Sequence, residues 1–239
     1  MNKQLVWDAP TRLFHWLFAA GFAVSAIIAL GLDDDGPVFP YHAIIGLVLT
    51  MLVVLRIVWG FVGSTHARFS NFAFKPAAVP RYLKGALLGG AGRYVGHNPG
   101  SAYATFAMLA LMIGLAVTGI IMGMGNEGVK EFHEVLAYLM VGVVTAHVLG
   151  VVLHVIRHRE NIVAGMIHGR KTGEPGDAIR TSHPIIAGAM LVIVVAWSVG
   201  LVRNFDRATR TTSLPILGAT LQLGEAEHAT EHEGHDDDD

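Results

Sequence analysis

The chain has 239 residues, of which 52% are hydrophobic and only 15% are charged. Soluble domains carry about 25% charged residues, so this balance excludes an ordinary soluble protein and predicts a membrane protein. The net charge is −2, which argues against a nucleic-acid partner, and the sequence has 13 histidines but no cysteine. Disulfides, thiolate metal sites and covalent c-type haem are therefore excluded, and imidazole is the metal ligand available in number.

Five apolar segments are each long enough to cross a bilayer, which takes about 20 helical residues. The first follows "VWDAPTRLFHW", where Thr11 or Asp8 can cap the helix and Pro10 suits its first turn. We expect a retained span here rather than a signal peptide, because no small-residue cleavage site follows a short apolar core. The predicted spans cover residues 12–32, 41–63, 101–124, 131–156 and 184–203.

The loops between these spans differ in charge and in length. The short loops "LDDDGPVFPY" and "GNEGVKEF" are mostly acidic, whereas the long loops around 64–100 and 157–183 are basic. The positive-inside rule therefore puts the long loops and the N-terminus in the cytoplasm and the C-terminus outside. Three arginines follow the fifth span on the outer side, where the positive-inside rule predicts few basic residues: Arg203, Arg207 and Arg210.

We divide the sequence into a membrane domain of four spans at 1–175, a fifth span with its flanks at 176–210, and a tail at 211–239. The tail ends in "EAEHATEHEGHDDDD", which is acidic and almost free of apolar residues and therefore predicts disorder. It is either a solvated tail or a loose divalent-metal site formed by His228, His232 and His235.

The fourth predicted span, within "EFHEVLAYLMVGVVTAHVLGVVLHVIRHRE", carries histidines at regular intervals. His133 and His147 are close to four helical turns apart, so they face the same way at a separation of about 21 Å along the helix. An ionisable residue inside a membrane is costly and indicates a functional site. In the up-down topology, His42 at the outer start of the second span lies level with His133. His15, near the cytoplasmic start of the first span, lies on the same half as His147.

Two pairs result, His42 with His133 and His15 with His147, and each pair joins two helices at one depth. Facing helices that supply two imidazoles hold the iron of a b-type haem in the core of a bundle. Two haems stacked across the bilayer make an electron path. The expected architecture is an all-α integral membrane protein, a four-helix transmembrane haem bundle plus a fifth C-terminal transmembrane helix.

A pairing of His15 with His154 fits the depth nearly as well. It would separate the two sites by about 31 Å, the whole hydrocarbon thickness, so we prefer His147. We expect His154 at the rim, beside a haem propionate. The remaining histidines before the tail lie in or beside cytoplasmic loops, where an ordinary surface role is expected: His66, His97, His158, His168 and His183.

Basic and small residues suit the same haem sites. Arg12 and Arg56 lie at the cytoplasmic ends of the first two spans, where each could pair a propionate or simply anchor a helix end. Glycines allow the close backbone approach that a flat macrocycle needs, although glycine is also common where membrane helices touch. The glycines concerned are Gly21, Gly46, Gly114, Gly119, Gly142 and Gly150.

These features resemble the family of bacterial cytochromes b561 and b-type cytochrome subunits of Ni,Fe-hydrogenases, which are di-haem membrane proteins. The matching stretches, within residues 6 to about 173, are "VWDAPTRLFHW", "HAIIGLV…VLRIVWGFVGSTHARFSNF", "YLKGALLGGAGRYVGHNPGS" and "KEFHEVLAYLMVGVVTAHVLGVVLHVIRHRENIVAGMIHGRKTG". In that family the positions matching His15, His42, His133 and His147 ligate the iron of two haems. The fifth span and the tail exceed the family's minimal four-helix unit.

The resemblance also implies electron transfer between a redox partner and quinone. In related formate dehydrogenase subunits, quinone binds beside the cytoplasmic-side haem, near an Asn-x-Gly turn that leads into a helix. Here "GHNPGS" offers Asn98 and Gly100 before the third span, where free helix amides suit a quinone oxygen but Asn98 could equally be a plain cap. The partner would be a hydrogenase-like protein or a c-type cytochrome on the outer side.

Two other functions use the same residues differently. A metal or proton transporter would use the intramembrane histidines, but it would need carboxylates within the spans, and Glu134 is the only one well inside a predicted helix. A plain membrane anchor would leave four depth-matched histidines without a role. With no cluster-binding cysteine, the chain is not expected to oxidise hydrogen or formate by itself.

Overall fold

Five long helices correspond one to one to the predicted spans. The structure, a computed structural model, describes residues 2–34, 36–90, 92 and 94–224. Each helix is long and apolar enough to cross a membrane. The chain is therefore an all-α integral membrane protein, as predicted. The helices are α1 at Ala9–Gly31, α2 at Pro40–Val62, α4 at Pro99–Gly123, α5 at Lys130–His158 and α7 at Pro184–Arg203.

The first helix begins three residues before the predicted start, because Asp8 is its cap. The Asp8 carboxylate accepts a hydrogen bond from the Thr11 backbone N–H at 2.8 Å, and Pro10 lies in the first turn. The second candidate cap, Thr11, thus lies inside the helix. The other predicted ends differ from the observed ones by two residues or fewer.

The α2 helix lies at the centre of the bundle. It packs against α1, α4 and α7, while α5 packs mainly along α4. The fifth span α7 also contacts α1, so it belongs to the bundle. Apolar side chains from four helices form the main core: Leu49, Leu52 and Val53 of α2, Leu109 and Met112 of α4, Met140 of α5 and Val194 of α7.

The segments at one end of the bundle form a connected layer that the sequence did not predict. Two helices lie there, α3 at Ala78–Leu88 and α6 at Ile162–His168, and strand β1 at Asn2–Leu5 pairs antiparallel with β2 at Arg170–Gly173. Gly169 ends α6 at φ 82°, and a Cβ there would lie 2.7 Å from the Trp7 carbonyl oxygen. The N-terminus and both long basic loops therefore share one face, whereas the compartment that this face meets stays a prediction.

The opposite end of the bundle carries a β-hairpin where the sequence predicted the start of a disordered tail. Strands β3 at Thr211–Ser213 and β4 at Thr220–Gln222 are antiparallel. Residues 211–224 therefore differ from the prediction, because Leu214, Leu221 and Leu223 are buried against Ile44 and Leu47 of α2. The remaining tail, with His228, His232 and His235, lies outside the described residues. The division of the chain into three parts otherwise stays a prediction.

Candidate functional site

The first predicted pair, His42 and His133, lies where α2 and α5 begin. The two imidazole rings are 6.5 Å apart between centroids, and their planes are at 82°. Two imidazoles that bind one metal ion from opposite sides, with bonds of about 2 Å, would place their centroids roughly 6 Å apart. The separation therefore fits a shared metal ion between the two rings.

The hydrogen bonds of His42 assign its tautomer. Its Nδ1 lies 3.0 Å from the Ser25 backbone carbonyl oxygen and 2.9 Å from the Ser25 hydroxyl. Because a carbonyl oxygen only accepts, Nδ1 carries the proton and donates it to Ser25 of α1. The lone pair is then on Nε2, which is the form that a metal ligand needs.

His133 has the same arrangement with a different partner. Its Nδ1 lies 2.7 Å from Oγ1 of Thr118 in α4, and that hydroxyl is 2.8 Å from the Gly114 backbone carbonyl oxygen. Because the Thr118 hydroxyl donates to Gly114, it accepts from the His133 Nδ1–H. Sequence reasoning missed Ser25 and Thr118. The available signal was a hydroxyl in an otherwise apolar span, a residue type that commonly bonds across membrane helices.

The six candidate glycines differ in what surrounds them. A Cβ at Gly21 would lie 2.9 Å from Leu49, and one at Gly114 would lie 2.9 Å from Leu136, so both serve close helix packing. Gly46 lies one turn from His42 on the same face of α2, and within the described residues a Cβ there would meet no heavy atom within 4 Å. This open space beside the histidine pair fits a flat macrocycle. A Cβ at Gly119 would lie 3.6 Å from His133, an ordinary contact distance. Gly142 and Gly150, like Gly46, face open space in the described part of the structure.

The second predicted pair, His15 and His147, lies toward the other end of the bundle. The two imidazoles interact electrostatically, and the His15 ring also lies edge-on to Trp16 at 5.0 Å. Nδ1 of His15 is buried and has no hydrogen-bond partner among the described residues. By contrast, Nε2 of His154 lies 3.9 Å from a Glu160 carboxylate oxygen, an ion-pair distance when the histidine is protonated. The electrostatic interaction is compatible with the pairing of His15 with His147, and both this pairing and the rim position of His154 stay predictions.

Arg56 is a buried cation that interacts electrostatically with His97, as does His147 of this second pair. Only 2% of it is exposed, its guanidinium lies 4.9 Å above the Phe69 ring, and Nη2 donates to the Ala67 carbonyl oxygen at 3.2 Å. Nη1 is buried without a hydrogen-bond partner in the described part of the chain. The Asp8 carboxylate interacts electrostatically with this guanidinium. Nη1 still offers a donor to a second anion, so Arg56 fits a contact with a haem propionate.

Arg12 is placed differently from Arg56. Its Nη1 donates to the Ile167 carbonyl oxygen at 2.5 Å, and its Nε lies 3.4 Å from the Asp8 carbonyl oxygen. The side chain thus attaches α6 to the start of α1. Its predicted propionate contact stays a prediction that this geometry does not support.

Asn98 and Gly100 form the start of α4. The Asn98 side-chain oxygen accepts from the Ser101 backbone N–H at 2.8 Å, and the Ser101 hydroxyl accepts from the Asn98 N–H at 3.0 Å. This capping box uses the Asn98 oxygen, and a Cβ at Gly100 would lie 3.3 Å from Tyr82. A cavity of about 330 Å³ lies directly before this turn. Its lining residues are His66, Asn71, Phe72, Phe74, Tyr94, Val95, Gly96, His97 and Asp177.

His97 connects this cavity with the second histidine pair, although the sequence predicted an ordinary loop residue. Its ring stacks on Phe72 at 4.1 Å and lies edge-on to Trp7 at 4.9 Å. Burial, and then the nearby charge of Arg56, lowers the pKa of His97 to about 3, and His147 also interacts with it. Nδ1 of His97 is buried and has no partner among the described residues. His97 is therefore neutral at physiological pH and has an unused polar atom.

Comparison with known proteins identifies the family to which this chain belongs. The model of the prokaryotic cytochrome b561 family matches residues 6–169. A probable Ni/Fe-hydrogenase B-type cytochrome subunit of Rhizobium leguminosarum bv. viciae is 24% identical over 211 residues, covering 70% of this chain and 87% of the relative. The protein of that name in Rhodobacter capsulatus is 26% identical over 213 residues, covering 70% and 80%. The probable Ni/Fe-hydrogenase 1 B-type cytochrome subunit of Escherichia coli K12 is 19% identical over 220 residues, covering 73% and 93%.

No solved structure matches the chain. The family model covers more than half of the sequence, including all four candidate ligand histidines. The chain therefore belongs to the prokaryotic cytochrome b561 family and is a membrane b-type cytochrome that transfers electrons.

Proposed function

We propose that this protein holds two b-type haems, one between His42 and His133 and one between His15 and His147. The observation that carries this proposal is the first pair. Two imidazoles from different helices lie 6.5 Å apart, and each donates its Nδ1 proton to a neighbouring helix. Hydrogen-bonded Nδ1–H groups of this kind orient a ligating histidine and keep Nε2 free for the metal.

The two pairs define a route across the membrane. Bound haem supplies reversible one-electron chemistry at its iron. His133 and His147 are about 21 Å apart along α5, so the two sites divide the thickness of the bilayer between them. The buried Arg56 guanidinium would balance a propionate charge at the second site. Electrons would thus pass between the two faces of the membrane.

We further propose that quinone or quinol reacts beside the second pair, at the start of α4. The cavity there has the size of a small-ligand site, with several aromatic side chains and a few polar ones in its lining. The neutral His97 ring could donate a hydrogen bond to a quinone carbonyl oxygen. Asn98 and Gly100 would shape the wall of the site, since the Asn98 oxygen already caps the helix.

The redox partner would bind at the opposite face, near His42 and His133. The relatives are named as hydrogenase subunits, which supports a hydrogenase-like partner, with a c-type cytochrome as the other candidate. In a bacterial inner membrane with the N-terminus in the cytoplasm, this partner would be on the outer side. Quinone would then react on the cytoplasmic side.

The transporter alternative has less support. Within residues 2–34, 36–90, 92 and 94–224, no group of three or more His, Asp or Glu side chains is placed to hold a metal ion. Paired histidines with fixed tautomers would hold the iron of a resident haem and suit it better than a cation that must enter and leave.

Haem quantification of the detergent-purified protein tests the proposal. The pyridine haemochrome assay should give about two b-type haems per chain, and His42→Ala or His133→Ala should reduce the content to about one. His168→Ala is the matched control, because His168 is exposed and its Nδ1 accepts a hydrogen bond from the nearby Arg170 backbone N–H. One haem in the unsubstituted chain would contradict the two-haem assignment. A colourless protein from haem-replete cells would contradict haem binding and would favour the hypothesis that the histidines serve a transporter.

A further inference from the structure

The hairpin that follows α7 presents two apolar side chains at its turn. Ile216 is 98% exposed and Leu217 is 72% exposed, and we call these two residues the hairpin tip. The turn is closed by hydrogen bonds from the Leu214 N–H to the Ala219 carbonyl oxygen at 2.8 Å and from the Gly218 N–H to the Leu214 carbonyl oxygen at 2.9 Å. The tip is therefore a fixed feature of the hairpin.

The residue type at the tip is unusual for a turn in water. Ile216 has φ 73°, in the left-handed region that β-branched residues avoid. A solvent-exposed turn would favour Gly, Asn or Asp at such a position, because these residues adopt it with less strain. An isoleucine held there suggests that an apolar side chain is useful at the tip.

The position of the hairpin sets the depth of the tip. Pro215, the residue before the tip, packs on α7, since a Cβ at Gly200 would lie 2.7 Å from the Pro215 ring. Gly200 is three residues before the end of the helix at Arg203, or about 4.5 Å along the axis. Val199 and Val202 on the same turn of α7 are 41% and 57% exposed. The tip thus continues the lipid-facing surface of α7 where the span meets the headgroups.

Charge at this end of α7 agrees with a lipid contact. Arg203 and Arg207 are exposed in the last turn of α7 and just after it. Basic side chains at the level of the headgroups are attracted to anionic phosphates. Arginines in such positions contribute to lipid binding, which accounts for two residues that run against the positive-inside rule.

We propose that the hairpin tip inserts into the lipid interface and that Arg203 and Arg207 contact lipid phosphates beside it. The hairpin then anchors the outer end of the bundle. Its buried leucines pack against α2 within seven residues of His42, so the anchor would brace the helix that carries this histidine. The proposal does not depend on the number of haems or on quinone.

Site-specific fluorescence tests this contact in the full-length protein. The chain has no cysteine, so Ile216→Cys or Leu217→Cys gives a single site for an NBD probe. In nanodiscs of phosphatidylcholine and phosphatidylglycerol, brominated lipid should quench each tip probe at least twofold more than a probe at Glu127→Cys. Glu127 is an exposed control in the short loop between α4 and α5 at the same end of the bundle. Aqueous iodide should show the reverse order.

Equal quenching of the tip and control probes by iodide would overturn the proposal. The proposal would also be overturned if iodide quenched the tip probes in nanodiscs but not in native membranes. That result would indicate that a protein partner, and not lipid, covers the hairpin tip. The absorption spectrum of each labelled protein should match that of the unlabelled one, which checks that the bundle is intact.

Discussion

Ser25 and Thr118 orient the two histidines of the first pair, although neither would itself touch a haem iron bound there. Ser25 holds His42 through its backbone carbonyl, whereas Thr118 holds His133 through its side chain. A side-chain substitution can therefore remove the acceptor of His133, whereas it leaves the backbone acceptor of His42 in place.

We predict that Thr118→Val weakens haem binding at the first site about 10- to 100-fold, because His133 loses the acceptor that fixes its tautomer. Valine has nearly the shape of threonine, so helix packing should be retained. Titration of haem-depleted protein with haemin measures the affinity. Ser25→Ala is the matched control and should have a much smaller effect, since the carbonyl remains. Equal losses in the two variants would contradict the assigned hydrogen bonds.

His97 gives the protein a predicted dependence of stability on pH. Its pKa is lowered to about 3, below the ordinary value of 6.5. Between these pH values the unfolded chain binds a proton that the folded chain does not, so stability falls as the pH falls through this window and is unaffected above it.

His97→Phe should remove that dependence while keeping the ring stacked on Phe72. At pH 5 the unsubstituted protein should lose about 1–2 kcal/mol from this residue. Thermal unfolding in detergent at pH 7.5 and pH 5.0 measures the difference. His168→Phe, at an exposed position, should leave the pH dependence unchanged. An equal loss in the His97→Phe variant would show that another group is responsible.

At the scale of elements, Asp8 joins the start of α1 to the end of α2. Its side chain is 1% exposed and accepts from the Thr11 N–H, the Trp59 indole N–H at 3.1 Å and the Ser64 hydroxyl. One carboxylate therefore caps a helix and links two spans, close to the buried Arg56.

Asp8→Ala should destabilise the protein by about 2–4 kcal/mol, because it removes a cap and leaves two further buried donors unpaired. Thermal unfolding in detergent measures the loss. Asn161→Ala is the control, since Asn161 caps the short helix α6 through the Ala164 N–H and is exposed. That variant should lose only about 1 kcal/mol. Similar losses in both variants would mean that Asp8 acts as a cap alone.

At the scale of the whole molecule, the two ends of the bundle are built differently. One end carries the β1–β2 pair and both basic loops, joined by a hydrogen bond between the His66 ring and the Asp177 carbonyl oxygen at 2.8 Å. The other end carries the two short loops and the hairpin. The route proposed for electrons runs between these ends, so their orientation decides on which side of the membrane each reaction takes place.

Single-cysteine labelling tests this orientation. With the N-terminus in the cytoplasm, an impermeant maleimide should label Glu127→Cys and Ala208→Cys in intact spheroplasts, and Ala73→Cys only after permeabilisation. All three positions are exposed. The reverse pattern would invert the topology and place the quinone site outside.

The sequence alone was sufficient to predict the five spans, because bilayer thickness requires about 20 apolar residues in a row and each run shows this directly. The candidate pairs His42–His133 and His15–His147 were equally accessible, since helix periodicity converts spacing in the chain into depth in the membrane. The approach of His42 to His133 agrees with that prediction.

The remaining features depend on contacts between segments that are far apart in the chain, and only the tertiary structure decided them. The way in which helices and loops pack together determines the partners Ser25 and Thr118, the Arg56 nitrogen that has no partner among the described residues, and the stacked ring of His97. The hairpin also depends on contacts between distant segments. In the sequence its leucines are only alternating apolar residues, and in the structure α2 and α7 provide the surface that buries them. Local pattern specifies which residues can enter a membrane, but hydrogen-bond partners and burial are properties of the assembled bundle.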